Sequence, residues 1–279
     1  MTTQSWWKPL LWRSGLLSMG LSIALALSSG EAHAQEVTPE EAQNPLTHLR
    51  GLTFQNNFDF GVGEEDRSGY QLVFQPWQAE IGRGQWMRLR SLAGLPLLYR
   101  PDPSRAEGGT FGLGDAEMST FWSPRKTAKT VAGGVGPIVR IPLATDNRLG
   151  SGKWSAGVTV AAIARPRGWL VGFRTYNLWS FAGDEDRPDV NQFFLQYFVL
   201  RTLDRGWYVL SAPSLIANWN ASSGNQWLVP VGGGAGKLFR VERRGLDVQT
   251  SVYYNAVRPE TLPFARWTLR IQLQFLFAR

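Results

Sequence analysis

From Trp267 to Phe277 apolar and polar residues alternate without a slip. Trp267, Leu269, Ile271, Leu273, Phe275 and Phe277 share one face of an extended chain, and Thr268, Arg270, Gln272 and Gln274 share the other. A period of two marks a β-strand whose two sides meet different surroundings. No amphipathic or membrane-spanning helical pattern follows residue 34, whereas aromatic and β-branched residues with the alternating period recur from Leu52 to the C-terminus. One such strand fits the half-buried face of a soluble sandwich as well as the wall of a membrane barrel, where apolar residues face lipid and polar residues face the lumen. The set of segments has to decide.

Twelve segments can be traced, at about 51–60, 69–79, 85–98, 111–123, 129–141, 153–163, 169–181, 190–202, 207–219, 225–240, 246–257 and 266–277. An even number suits a single-chain bacterial barrel. Three connections are short and end in glycine, at Arg165 to Gly168, Leu203 to Gly206 and Glu242 to Gly245, where glycine supplies the positive φ of a tight turn. Their glycines lie 38 and 39 residues apart, an interval of two strands plus a longer polar loop, as at Gly183 to Asp189 and Asn220 to Gly224. Short turns thus alternate with longer loops. With the last strand ending at the periplasm, both termini fall there. The prolines at 96, 137, 213 and 230 interrupt proposed strands and predict bulges or kinks, because proline cannot donate to the ladder.

Tryptophan separates the barrel from the sandwich, because an indole prefers an interface where its ring is buried and its N–H stays wet. Ten tryptophans follow residue 34, all near strand ends. In the twelve-strand reading Trp77, Trp86, Trp122, Trp169 and Trp207 mark one end of the wall, and Trp154, Trp179, Trp219, Trp227 and Trp267 the other. Trp169 and Trp179 share parity, and ten tilted residues cover about 25 Å, the height of an apolar membrane band. The fold class expected is all-β, a closed antiparallel transmembrane β-barrel of about twelve strands with both termini periplasmic.

The first 34 residues read as a secretory signal: Lys8 and Arg13 precede an apolar run from Gly15 to Ser28, and Ala32-His33-Ala34 is a small-residue cleavage site. The run is shorter than the roughly twenty residues of a spanning helix. Residues 35–50, rich in Glu, Pro and Gln, read as a flexible periplasmic lead-in too short to form a globular plug, and 51–279 as the barrel. Without cysteine there is no lipoprotein anchor, disulfide or thiolate metal site. Removing Lys8, Arg13 and Glu31 leaves 27 basic against 21 acidic residues. Those charges are dispersed, so no nucleic-acid partner is expected. The partners expected are outer-membrane lipid and lipopolysaccharide, the barrel-assembly machinery and a small-molecule solute.

Strand parity places Arg88, Arg90, Arg140, Arg174 and Arg270 in the lumen with Asp59, Asp115, Glu117 and Asp247, and adds Gln55, Asn57, Gln249, Asn255 and Gln272 as neutral lining. A basic constriction that selects anions is one reading. Mutually neutralising pairs that partly fill the interior are the other, favoured by the near-balance of charge.

No cofactor or metal is expected. Val231 to Lys237 has a glycine-rich run, but Val231 stands where a phosphate loop needs glycine and Leu238 where it needs Ser or Thr. The acidic stretches Asp184, Glu185, Asp186, Asp189 and Glu64, Glu65, Asp66 match no calcium-loop spacing and read as solvated loops. The enzyme alternative is an outer-membrane phospholipase. A serine hydrolase needs a base beside its serine, and the only histidine after residue 34 is His48, in the lead-in. A non-enzymatic protein is expected.

Several strings resemble a known group: Gly134-Val135-Gly136-Pro137, Ala144 to Trp154 (ATDNRLGSGKW), Asn177 to Gly183 (NLWSFAG), Ala217-Asn218-Trp219-Asn220 and Tyr253 to Pro259 (YYNAVRP). The resemblance is to outer-membrane transporters related to the MetA-type phenol-degradation barrels, within the FadL-like channel superfamily; some members carry a neuromedin-U label. It covers roughly half the chain and implies a barrel that takes up small or hydrophobic molecules. The function expected is a passive outer-membrane channel for such solutes. The alternative is a structural or adhesive barrel with a filled lumen and partner-binding outer loops.

Overall fold

In the computed structural model Trp267–Phe277 lies antiparallel to Arg50–Val62, with Arg50 opposite Phe277 and Phe60 opposite Trp267. Arg50–Val62 pairs on its other edge with Arg67–Ile81. The first strand therefore bridges the last to the second and closes the sheet into a barrel, the β solution to satisfying backbone groups in hydrocarbon. The structure describes residues 38–43, 50–81, 86–92, 94–103, 105–124, 131–241, 244–260 and 263–277; of these, 41, 77–81, 86–92 and 240–241 are described by backbone alone. They belong to a compact unit, Gln35–Ala278. The expected signal, residues 1–34, lies outside the described residues.

A helical turn α1 (Pro39–Ala42) precedes β1 (Arg50–Val62), β2 (Arg67–Ile81), β3 (Trp86–Leu92), β4 (Leu95–Pro101), β5 (Gly109–Leu113), β6 (Ala116–Pro124), β7 (Val131–Ile141) and β8 (Lys153–Ala164). Then come β9 (Trp169–Gly183), β10 (Asn191–Thr202), β11 (Trp207–Ser211), β12 (Ser214–Asn218), β13 (Trp227–Val241), β14 (Arg244–Val257) and β15 (Trp267–Phe277). All pairings are antiparallel.

Among the described residues fifteen strands stand where twelve were expected, because three of the expected segments are each split in two. β3 and β4 part at Gly94, β5 and β6 at Gly114 and Asp115, and β11 and β12 at Ala212 and Pro213. Each split remains one pass across the wall: β3 and β4 both pair with β2, β6 and β5 pair in turn with β3 and β4, and β11 and β12 both pair with β10. Proline accounts for part of this. Pro213 sits in a break, Pro96 lies just beyond one, and Pro230 falls at a register shift against β14. Pro137 keeps its place opposite Val158, while the pairing of β6 with β7 skips from Ser119 and Ile138 to Trp122 and Val135.

The short connections gather at the end that holds Arg50 and Phe277, here the turn end. Gly168 at φ 67° and Gly206 at φ 79° supply the expected left-handed turns. The third differs: Val241 pairs with Arg244, and Gly245 is a strand residue opposite Arg240 with no positive φ, while residues 242–243 lie outside the described residues. The longer connections at 142–152, 184–190, 219–226 and 258–266 form the opposite, loop end. Acidic residues there have local roles. The Asp186 amide donates to Asp184, Asp189 takes the Ser180 hydroxyl and lies 3.6 Å from Lys153, and Asp66 pairs with Arg266 at 2.8 Å.

The outer surface is apolar: Val135, Val158, Phe173, Val199, Val209 and Val252 are between 38% and 57% exposed on six different strands. A water-soluble protein would bury such a belt; lipid accepts it. Trp122, Trp154, Trp169, Trp179, Trp207, Trp219 and Trp267 are exposed on this surface. Trp227 is half-buried against Phe193 and Trp219, at ring distances of 6.1 and 5.5 Å. The side chains of Trp77 and Trp86 lie outside the described residues.

Within the lead-in, residues 38–43 are held by specific contacts where a flexible segment was expected. Thr38 and Pro39 open a turn closed by Ala42 N–H to Thr38 O and Gln43 N–H to Pro39 O, with proline at the first helical position where its missing N–H costs nothing. This turn seats inside the turn end of the barrel. Gln43 donates to Asp247 Oδ2 at 2.7 Å and to Tyr208 Oη at 3.2 Å, Gln274 donates to the Ala42 carbonyl at 3.0 Å, and Thr202 donates to Glu40 at 2.5 Å. The partners come from four strands. A stopper held by polar bonds leaves no apolar pattern in the sequence, which is why composition misread it.

Candidate functional site

Along β14 the inward side chains of Asp247, Gln249, Ser251, Tyr253 and Asn255 are buried and alternate with the outward, lipid-side residues. The same parity turns Thr53, Gln55, Asn57 and Asp59 of β1 and Arg270, Gln272 and Gln274 of β15 inward, as the register across the two seams requires. This part of the lumen is an amide wall.

The opposite part breaks the polar-inside rule. Leu170 and Leu178 of β9, Leu200 of β10 and Leu210 of β11 point inward and are at most 8% exposed, packed with Phe121, Ile163 and Tyr208 or with Ile138 and Tyr176. Both faces of these strands are apolar, so alternation alone could not report which residues line the interior. Glycine makes room for the large rings: a Cβ at Gly236 would stand 2.3 Å from the Tyr208 ring.

Three adjoining cavities run along the barrel. The first, about 190 Å³, begins at Ala42 and Gln43 and has Leu170, Phe198, Leu200 and Leu210 on one side and Gln249, Gln272 and Gln274 on the other. The second, about 490 Å³, shares Gln55, Gln75, Arg174, Gln196 and Arg270 with the first. The third, about 540 Å³, shares Asp59, Gln71, Arg100, Phe264 and Ala265 with the second and opens among loop-end residues such as Asp102, Pro103 and Arg148.

The charged side chains are used unequally. Arg140 grips Glu117 through Nε at 3.1 Å and Nη2 at 2.7 Å and donates to Gln192 at 2.8 Å, while Tyr176 donates to the other Glu117 oxygen at 2.9 Å. Asp115 accepts the Ser151 amide and hydroxyl, both at 2.7 Å. Asp247 receives Tyr208 and Gln43. Asp59 receives the Thr268 hydroxyl, and Arg270 donates to Asn57 at 3.0 Å and to the Ala212 carbonyl at 3.3 Å with Tyr253 4.9 Å beneath it. Arg174 stands over Phe121, Tyr176 and Phe194 at 5.9, 5.2 and 5.9 Å, and its Nε and Nη2 are buried without a hydrogen-bond partner among the described residues.

Thus Arg174 and Arg270 both line the junction of the first two cavities, with Gln249 and Gln272 lining the first, while Arg140, Asp115 and Glu117 form a group nearer the loop end. Arg88 and Arg90 have side chains outside the described residues. Sequence reading missed Arg100, because its segment was ended at residue 98; carrying the same parity two residues along β4 reaches it. It also missed Tyr176, which shares parity with Arg174. Among the described residues no three His, Cys, Asp or Glu side chains gather as a metal site, and His48 lies outside them.

No family model matches the chain, and no curated protein does. The fold has clear counterparts among solved structures. An outer-membrane channel from Pseudomonas putida F1 is 14% identical with a TM-score of 0.63, over 87% of this chain and 100% of that one. The NanC porin is 11% identical with a TM-score of 0.51, over 80% of this chain and 98% of that one. The chain has the fold of an outer-membrane β-barrel.

Proposed function

We propose that the protein is a passive outer-membrane channel for small or hydrophobic solutes, of the FadL-like kind, with the turn end in the periplasm and no catalytic role. One observation carries this reading: three adjoining cavities, of about 190, 490 and 540 Å³, occupy the lumen from the stopper to the loop end. A barrel serving only as a scaffold has no use for that space, and two unlike linings suit a solute with an apolar part and a polar part. Planar bilayers and solute-loaded proteoliposomes test it. Purified protein that inserts but neither conducts ions nor passes any solute refutes the channel.

The stopper favours a second reading, a filled barrel whose outer loops bind partners. Cysteines placed at Gln249 and Gln272 discriminate. Labelling of both by a water-soluble thiol reagent supports the channel, and protection of both supports the filled barrel.

A further inference from the structure

We infer that Arg174 is the anchor of a binding site for a ring-bearing monocarboxylate, held where the first and second cavities join. The inference names the solute class of the proposed channel and rests on that reading for the ligand's passage.

The argument begins with which edge of the guanidinium is free. An arginine side chain offers a carboxylate one side-on edge made of Nε and Nη2. This molecule uses that edge twice. Arg140 puts Nε and Nη2 on Glu117 at 3.1 and 2.7 Å, and Arg148 puts Nε and Nη2 on Asp146 at 3.0 and 3.2 Å. Arg174 presents the same two atoms, both buried, to no partner among the described residues. A buried, charged donor left without an acceptor is costly, and an incoming carboxylate removes that cost.

The surroundings set the charge of the ligand. Glu117 is already gripped by Arg140 and Tyr176, and Arg270 is engaged by Asn57 and the Ala212 carbonyl. Around the second cavity Arg100, Arg140, Arg174 and Arg270 face Asp59, Asp115 and Glu117, an excess of one positive charge that fits a singly charged head better than a dianion such as a phosphate monoester.

The first cavity sets the tail. Below Arg174 it offers Leu170, Phe198, Leu200 and Leu210 as one wall and about 190 Å³ of space. An apolar cavity of about 150 Å³ accepts benzene, so one six-membered ring fits here. The glutamines opposite carry no charge, and of the two arginines at the junction Arg270 already spends Nε on Asn57 and Nη1 on the Ala212 carbonyl, so the free side-on edge is that of Arg174.

The test is calorimetric titration of the full chain in maltoside micelles with 3-phenylpropionate, 3-phenyl-1-propanol and propionate. The phenyl acid is expected to bind at least tenfold more tightly than either the alcohol, which lacks the charge, or propionate, which lacks the ring. Arg174→Met is expected to erase the advantage over the alcohol, and Arg174→Lys, which keeps the charge but loses the two-toothed edge, to retain part of it. Equal binding of acid and alcohol to the unaltered protein overturns the site without recourse to any variant. So does unchanged acid binding in an Arg174→Met protein that keeps the heat-modifiable gel mobility of a folded barrel. Proteoliposomes separate this from the channel reading: binding of the acid without passage of any solute leaves the site and removes the channel, and passage indifferent to the carboxylate does the reverse.

Discussion

Replacing Gln43 with alanine isolates the bond that holds the stopper in the barrel. Gln43 donates to the Asp247 carboxylate at 2.7 Å and lies 3.2 Å from the Tyr208 hydroxyl. A hydrogen bond to a charged group contributes about 1.5–3 kcal/mol. Asp247 keeps the Tyr208 hydroxyl at 2.8 and 2.9 Å after the substitution, so it is not left bare. We take the loss as about 2 kcal/mol, which multiplies the population of the displaced stopper about thirtyfold. The native chain has no cysteine, so a single thiol at Ala42, buried at 2% exposure, reports the displacement cleanly. In proteoliposomes the rate of maleimide modification at position 42 should rise about thirtyfold when Gln43→Ala is added. Asp247→Asn, which removes the charge but keeps an acceptor, should give a smaller rise. Equal rates in all three proteins refute the assignment of Gln43 to Asp247 as the latch.

Replacing both Arg174 and Arg270 with alanine should move reversal potentials in a salt gradient toward cation selectivity; unchanged potentials mean that neither faces the conducting path. Glu117→Gln should shift selectivity the opposite way, because Arg140 then lacks its counter-charge, and it should lower stability to urea by about 3 kcal/mol, the order found when one partner of a buried pair is lost. Val158→Arg, on the outer face at 57% exposure, should destabilise the barrel in vesicles by about 2–4 kcal/mol if that position sits at mid-bilayer. A change well under 1 kcal/mol in urea titrations places Val158 at the headgroups.

The strands near the closing seam were legible in sequence because their two faces differ: β1, β14 and β15 carry Gln, Asn, Asp and Arg inward and Phe, Leu and Val outward. Parity alone places Gln249, Arg270 and Gln272 on the inward face. Across the barrel the same rule is silent, since Leu170, Leu200 and Leu210 inside are as apolar as Phe173, Val199 and Val209 outside. The interruption at Gly94 had no pattern of its own, because a break in pairing depends on what the neighbouring strand does. The stopper was misread for a related reason. Its hold comes from Asp247, Tyr208 and Gln274, more than 160 residues away in sequence, and no local composition encodes an acceptor supplied from so far. Charge counting suffered likewise: a near-even tally of acids and bases is compatible with every arginine being matched, yet Glu117 goes to Arg140 and leaves Arg174 without an acid.

The unlike walls of the lumen also constrain rotation. A molecule lying along the axis with one side against leucines and the other against glutamines cannot turn freely about its own length, since half a turn would strip hydrogen bonds from one edge and press the other onto hydrocarbon. For the channel proposed above, two ring isomers of equal size and equal polarity, differing only in whether a hydroxyl sits on the edge toward β14 or toward β10, would then be held unequally.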